Sequence, residues 1–190
     1  LFELRMSLVP YLYSAFEEYQ KTGLPPVSAV VMEYPQDEAA RNLDDEYFFG
    51  KDLLVCPLTL EDGTSREVYL PEGNWYNFFT GEKIEGGRRV VLEADWNEML
   101  VFARDGALVP VAEPVICVTE DTVFNITVKS FGTNKTGSCV LYEDDFVSFN
   151  YESLVAKKQI NVTVGDNGKF IVSGAKTSTK YHFLNCIVKD

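Results

Sequence analysis

The chain has 190 residues, of which 46% are hydrophobic and 13% aromatic, and it carries a formal net charge of −12 at pH 7. This suits one large or two small globular domains that bury roughly 70% of their unfolded surface. It argues against nucleic acid or an anionic membrane as a partner, because neither would find a basic patch, and no apolar run approaches the ~20 residues of a membrane span.

Leu1, Leu4, Leu8, Tyr11, Leu12, Ala15, Phe16 and Tyr19 recur at helical spacing. They predict an amphipathic helix over 1–21, kinked at Pro10, whose ring removes a backbone donor. Gly23 and Pro25-Pro26 stop it. Val27-Ser-Ala-Val-Val-Met32 is a short apolar run without alternation, the pattern of a parallel strand buried on both faces. Asp37–Arg41 reads as a helical turn with an acidic start, and Asn42–Glu46 as the solvated cap of a second, not as a metal loop.

From Lys51 the period changes to two. Leu53 and Val55, Val68 and Leu70, Val90 and Leu92, and Met99, Val101 and Ala103 mark short strands between turns at Pro71–Asn74, Gly81, Gly86-Gly87 and Arg104–Gly106. Beyond Ala112-Glu113-Pro114 the alternation continues through Phe124, Ile126 and Val128, then Ile160, Val162 and Val164, and Tyr181–Val188. The predicted fold is mainly β: antiparallel β-sandwich units over 51–113 and 114–190, preceded by a helix–strand element over 1–50.

The segments Pro10-Tyr-Leu-Tyr-Ser14, Gly23-Leu-Pro25, Asp44-Asp-Glu-Tyr-Phe-Phe-Gly50, Asp52-Leu-Leu-Val-Cys-Pro57, Arg66-Glu-Val-Tyr-Leu-Pro-Glu-Gly-Asn-Trp-Tyr76 and Val101-Phe-Ala-Arg-Asp-Gly-Ala-Leu-Val-Pro110 together resemble the C-terminal part of family 31 glycoside hydrolases. Leu141-Tyr-Glu-Asp-Asp145 is similar to a signature of that family's distal β-domain, with Phe146 where the family has glycine. The resemblance implies that 1–50 hold the last helix and strand of a (β/α)8 barrel. It also implies that 51–113 and 114–190 are the proximal and distal β-domains of a retaining α-glucosidase or α-xylosidase. The partners it implies are the rest of the barrel and an oligosaccharide substrate. A fragment separated from that barrel would expose an apolar helix face and a strand edge, and is expected to self-associate.

Retaining hydrolysis needs two carboxylates ~5–5.5 Å apart, and in this family both precede the segments matched here. No catalytic residue is therefore assigned, and the chain alone is expected to be inactive. Asp44/Asp45 and Asp144/Asp145 are adjacent in sequence and make no acid/base pair. Glu33 follows the predicted barrel strand, where such barrels place their sites, and is the one candidate substrate-binding residue. Trp75, Tyr76, Phe78, Phe79 and Trp96 offer a second reading, a carbohydrate-binding module with a stacking platform, against the plainer one of a packed core.

Neither a cofactor nor a metal is predicted. Cys56, Cys117, Cys139 and Cys186 lack zinc spacing and read as buried thiols, with one disulfide among the last three left open. His182 reads as a core or edge histidine, and Asn125, Asn134 and Asn161 head glycosylation sequons. The chain does not begin with Met and reads as a piece of a longer protein, so the lack of a basic, apolar leader before Leu1 says nothing about where that protein goes.

Overall fold

The computed structural model describes residues 2–58, 64–95, 98–132, 137–144, 158–165, 169–173 and 178–189. Two helices open it, α1 (Phe2–Ser7) and α2 (Val9–Thr22). The break falls at Leu8 rather than at Pro10, which becomes an early residue of α2. The missing proline N–H is the one that would have bonded Met6, so the ladder is interrupted one turn earlier than the ring itself. Gly23 ends α2 with φ 78° and donates its N–H to the Tyr19 carbonyl, a conformation that costs glycine little.

The next segment departs from expectation. β1 (Val27–Ala29) is three residues long and lies antiparallel to β2 (Tyr47–Phe49) at the edge of a sheet. Val27 and Ala29 are exposed and Ser28 is buried, so β1 is covered on one face only. Val30 is fully buried, but as the first residue of a helical turn, α3 (Val30–Glu33), closed by the Tyr34 N–H on the Val30 carbonyl. The apolar run thus serves as an antiparallel edge strand plus a helical turn, not as the parallel barrel strand expected over 27–32. Ala39–Asn42 form a single 3-10 turn, and among the described residues no helix follows it.

The main sheet has six antiparallel strands in the order β1-β2-β3-β8-β5-β6, with β3 Leu53–Cys56, β5 Asn74–Asn77, β6 Lys83–Glu85 and β8 Leu100–Arg104. It takes strands from both sides of residue 50. β3 is buried along its whole length, because both faces of the sheet are covered. Leu53, Val55, Tyr76, Val101 and Ala103 face a core shared with Tyr11, Phe78 and Val109. Leu54, Cys56, Trp75, Leu100 and Phe102 face a second core shared with Val68 and Leu70. Those last two belong to β4 (Ser65–Leu70), which pairs with β7 (Arg88–Glu93) in a small two-stranded sheet. Burying an apolar side chain of this size stabilises by ~1.5–3 kcal/mol.

β9 (Leu108–Ala112) leads into the distal half, where β10 (Phe124–Phe131) pairs antiparallel with β9 and parallel with β14 (Tyr181–Lys189). A facing antiparallel sheet, β11-β12-β13, has β11 at Ser138–Glu143, β12 at Lys158–Val164 and β13 at Phe170–Ser173. Phe124, Ile126, Val128, Leu141, Val162 and Val164 fill the third core between the sheets. This mainly antiparallel β architecture agrees with the predicted class.

Candidate functional site

Glu33 is the last residue of α3, and Arg104 the last of β8. The Arg104 Nη2 donates to Glu33 Oε2 at 3.0 Å, with the two side chains 28% and 16% exposed. The guanidinium lies 4.4 Å from the Phe48 ring centre and 5.5 Å from that of Tyr34, so two aromatic faces fix its plane. Glu33 is therefore held by an ion pair across 71 residues of sequence. Nothing in its local sequence indicated that partner; the apolar run of β8 identified Arg104 only as the start of a turn.

Beside this pair a cleft of about 380 Å³ runs between α2, the Gly50–Asp52 turn, β9 and β11; Glu17, Lys21, Glu33, Asp52, Pro110 and Tyr142 are among its walls. Burial pushes the half-buried Asp52 carboxyl above the usual carboxylate range, while Lys51 and Arg104 draw it back. Glu17 pairs with Lys21 at 2.8 Å, one helical turn on. Glu33 is thus paired with Arg104 and Glu17 with Lys21 along the cleft wall. Among the described residues no group of three or more His, Cys, Asp or Glu side chains is placed to hold a metal ion.

One face of α2 is fastened to both β halves. Tyr11 is buried, donates its hydroxyl to the Phe49 carbonyl at 3.1 Å and accepts the Asp52 N–H at 3.0 Å. Tyr13 donates to Asp144 Oδ2 at 2.7 Å, and Ser14 Oγ accepts the Tyr142 N–H at 2.9 Å. The rings of Tyr13 and Tyr142 lie 5.4 Å apart. The adjacent Glu143 is 4% exposed and takes three hydrogen bonds, from Ser178 Oγ and from the Thr179 N–H and hydroxyl. The described part of the Leu141–Asp145 motif is thus a structural joint. Asp145, Phe146, Asn134 and Trp96 lie outside the described residues.

The aromatic platform is not assembled. Trp75, Tyr76 and Phe78 are each 1% exposed, and Trp75 spends its indole N–H on the Pro71 carbonyl. Among the described members of the platform, only Phe79, 45% exposed, is open to solvent. Alternation on a sheet covered on both faces puts the side chains of β5 into two cores, which leaves none to stack on a sugar. His182 is exposed on the edge strand β14, hydrogen-bonded to Asn125, whose amide also donates to Glu113. The four thiols are free: Cys56 and Cys139 are buried as expected, but Cys117 is exposed in the loop that follows β9.

Residues 23–109 match the family described as "Glycosyl hydrolase family 31 C-terminal domain". Residues 23–109 carry the C-terminal domain of glycosyl hydrolase family 31. The chain is 34% identical over 172 residues to alpha-glucosidase 2 of Bacillus thermoamyloliquefaciens, covering 90% of this chain and 22% of that protein. It is 33% identical over 150 residues to an alpha-xylosidase of Saccharolobus solfataricus, covering 78% of this chain and 20% of that one. Among solved structures, a Flavobacterium johnsoniae GH31 dextranase complexed with glucose superposes with a TM-score of 0.78 at 33% identity, over 90% of this chain and 21% of that one. The Xanthomonas citri GH31 alpha-xylosidase does so with a TM-score of 0.78 at 30% identity, over 99% and 21%. The chain thus spans about a fifth of the length of these relatives. The matched 23–109 region starts before β1, so α3, Glu33 and Arg104 all fall within it.

Proposed function

We propose that this chain is a non-catalytic part of a retaining α-glycosidase and that it braces the catalytic barrel. The supporting observation is the two-sided character of α2. Tyr11, Tyr13 and Ser14 fasten one face to the β-sheets, while Phe16 and Tyr19 on the same helix, and Phe2 on α1, remain 51%, 45% and 60% exposed. An apolar face outside a finished set of cores is what a missing neighbour would cover. The occupant is the remainder of the barrel, and in its absence the same face drives self-association of the separated chain.

Glu33, held by Arg104, contacts the sugar directly or through a neighbouring side chain in the assembled enzyme. The substrate class is an α-glucoside or α-xyloside, the linkages named for the relatives. Residues 114–190 form the distal unit that grips α2 through Asp144 and Tyr142. Paired assays test the reading: aryl α-glucoside and aryl α-xyloside are offered to this chain and to a version extended upstream through its reading frame. Turnover by the long form alone is the expected result. Turnover by the 190-residue chain would overturn it, and silence from both would remove the glycosidase assignment.

A further inference from the structure

Away from the cleft, Glu46 and Arg66 are buried at the seam between the main and small sheets, at 4% and 7% exposure. Glu46 immediately precedes β2, and Arg66 is the second residue of β4. Arg66 Nη2 donates to the Asp45 carbonyl at 2.8 Å and lies 2.9 Å from Asp45 Oδ2. Its distance to Glu46 Oε1 is 3.9 Å, and that oxygen accepts the Tyr69 backbone N–H at 2.7 Å. Three buried polar atoms here are reached by no protein group among the described residues: Arg66 Nε, Arg66 Nη1 and Glu46 Oε2. Buried donors and an acceptor without a protein partner are costly, and a polar guest that both donates and accepts lowers the cost.

We propose that Asp45, Arg66 and Glu46 form a proton-operated latch between the two sheets, completed by one buried water shared by Arg66 and Glu46. The water accepts from Arg66 in both states. It accepts from the Oε2–H of Glu46 when that group is protonated and donates to the oxygen when it is not, the proton coming from and returning to solvent. Burial is the main reason the Glu46 carboxyl is pushed up to about 7 from 4.5, with Asp45 pushing the same way. The Tyr69 N–H, Arg66 and, from β7, Arg89 draw it back. From β3, Cys56 faces the same spot, and its buried thiol is itself pushed up and stays neutral. The folded value lies above the unfolded one, so the folded state holds the extra proton between pH 4.5 and about 7. The latch is therefore tightest with Glu46 protonated and loosens as pH rises through that window.

The Tyr69 amide reads the latch directly, since its N–H donates to Glu46 Oε1. In ¹H–¹⁵N spectra of the chain, that amide and the Arg66 Nε–H are expected to titrate together with a midpoint near 7. Glu46→Gln should flatten both curves, and Asp37→Asn, whose carboxylate meets the Tyr69 hydroxyl and the Ala39 N–H but not the Tyr69 amide, should leave them. A midpoint in the ordinary carboxylate range, or a Tyr69 titration that survives Glu46→Gln, overturns the latch. Water-to-Arg66 Nε–H cross-relaxation of the sign given by a long-lived water is expected, and its absence overturns the shared water. The proposal stands apart from the bracing role and is tested without any catalytic readout.

Discussion

At the scale of single residues, the Tyr13 hydroxyl and the neighbouring Ser14 share the load of tying α2 to β11. The Tyr13 bond to Asp144 holds the end of that strand, and burial and Asp144 together keep the phenol protonated. Tyr13→Phe keeps the ring against Tyr142 and removes only the hydrogen bond. The expected loss is ~0.5–1.5 kcal/mol, read in a thermal melt as a fall of about 1–6 °C for a chain this size; an unchanged melt would show the clasp to be idle. The thiols separate just as cleanly. Cys117 is exposed, Cys56 and Cys139 are buried, and burial pushes the Cys139 thiol up to about 12. Since the thiolate is the nucleophile, a neutral alkylating reagent should label Cys117 first in the native chain. Cys56 and Cys139 should react only in denaturant, and early labelling at either would contradict their burial. Contacts of this kind were closed to sequence reasoning. Glu33 and Arg104, or Tyr13 and Asp144, are 71 and 131 positions apart, and a carboxylate shows no sign in its local sequence of which cation it will meet.

At the scale of elements, periodicity carried most of the fold. Val68 and Leu70, Val101 and Ala103, and Ile126 and Val128 are inward-facing strand positions, as their alternation indicated. Two misreadings have physical causes. Val27–Met32 is too short for its pattern to separate strand from helix, and the chain uses it as both. Glu46 looked like a solvated cap residue because the cation near it, Arg66, lies on a strand 20 residues later. The exposed face of α2 belongs to this scale too. Phe16→Glu places a charge where half the ring is already in water, so it should spare the melting temperature. If the face drives association, the mass found by light scattering should fall towards that of a single chain. A native chain that is already monomeric would remove the self-association claim.

At the scale of the whole molecule, three cores are chained together by shared strands and one helix. The first two share the main sheet, β9 passes from the first to the third, and α2 closes the arrangement from outside. No core is complete without residues from far along the sequence: the first takes Phe131 as well as Leu8 and Tyr11. The parallel pairing of β10 with β14 has a consequence for synthesis. Phe124 pairs with Tyr181, 57 residues later, and Phe131 with Lys189. At ~5–20 residues per second, a ribosome needs about 3–11 s to travel from one partner to the other. Throughout that interval β10 has β9 on one side and an open edge on the other. The distal half therefore waits on translation, and a cell that guards nascent chains would find its client in this strand.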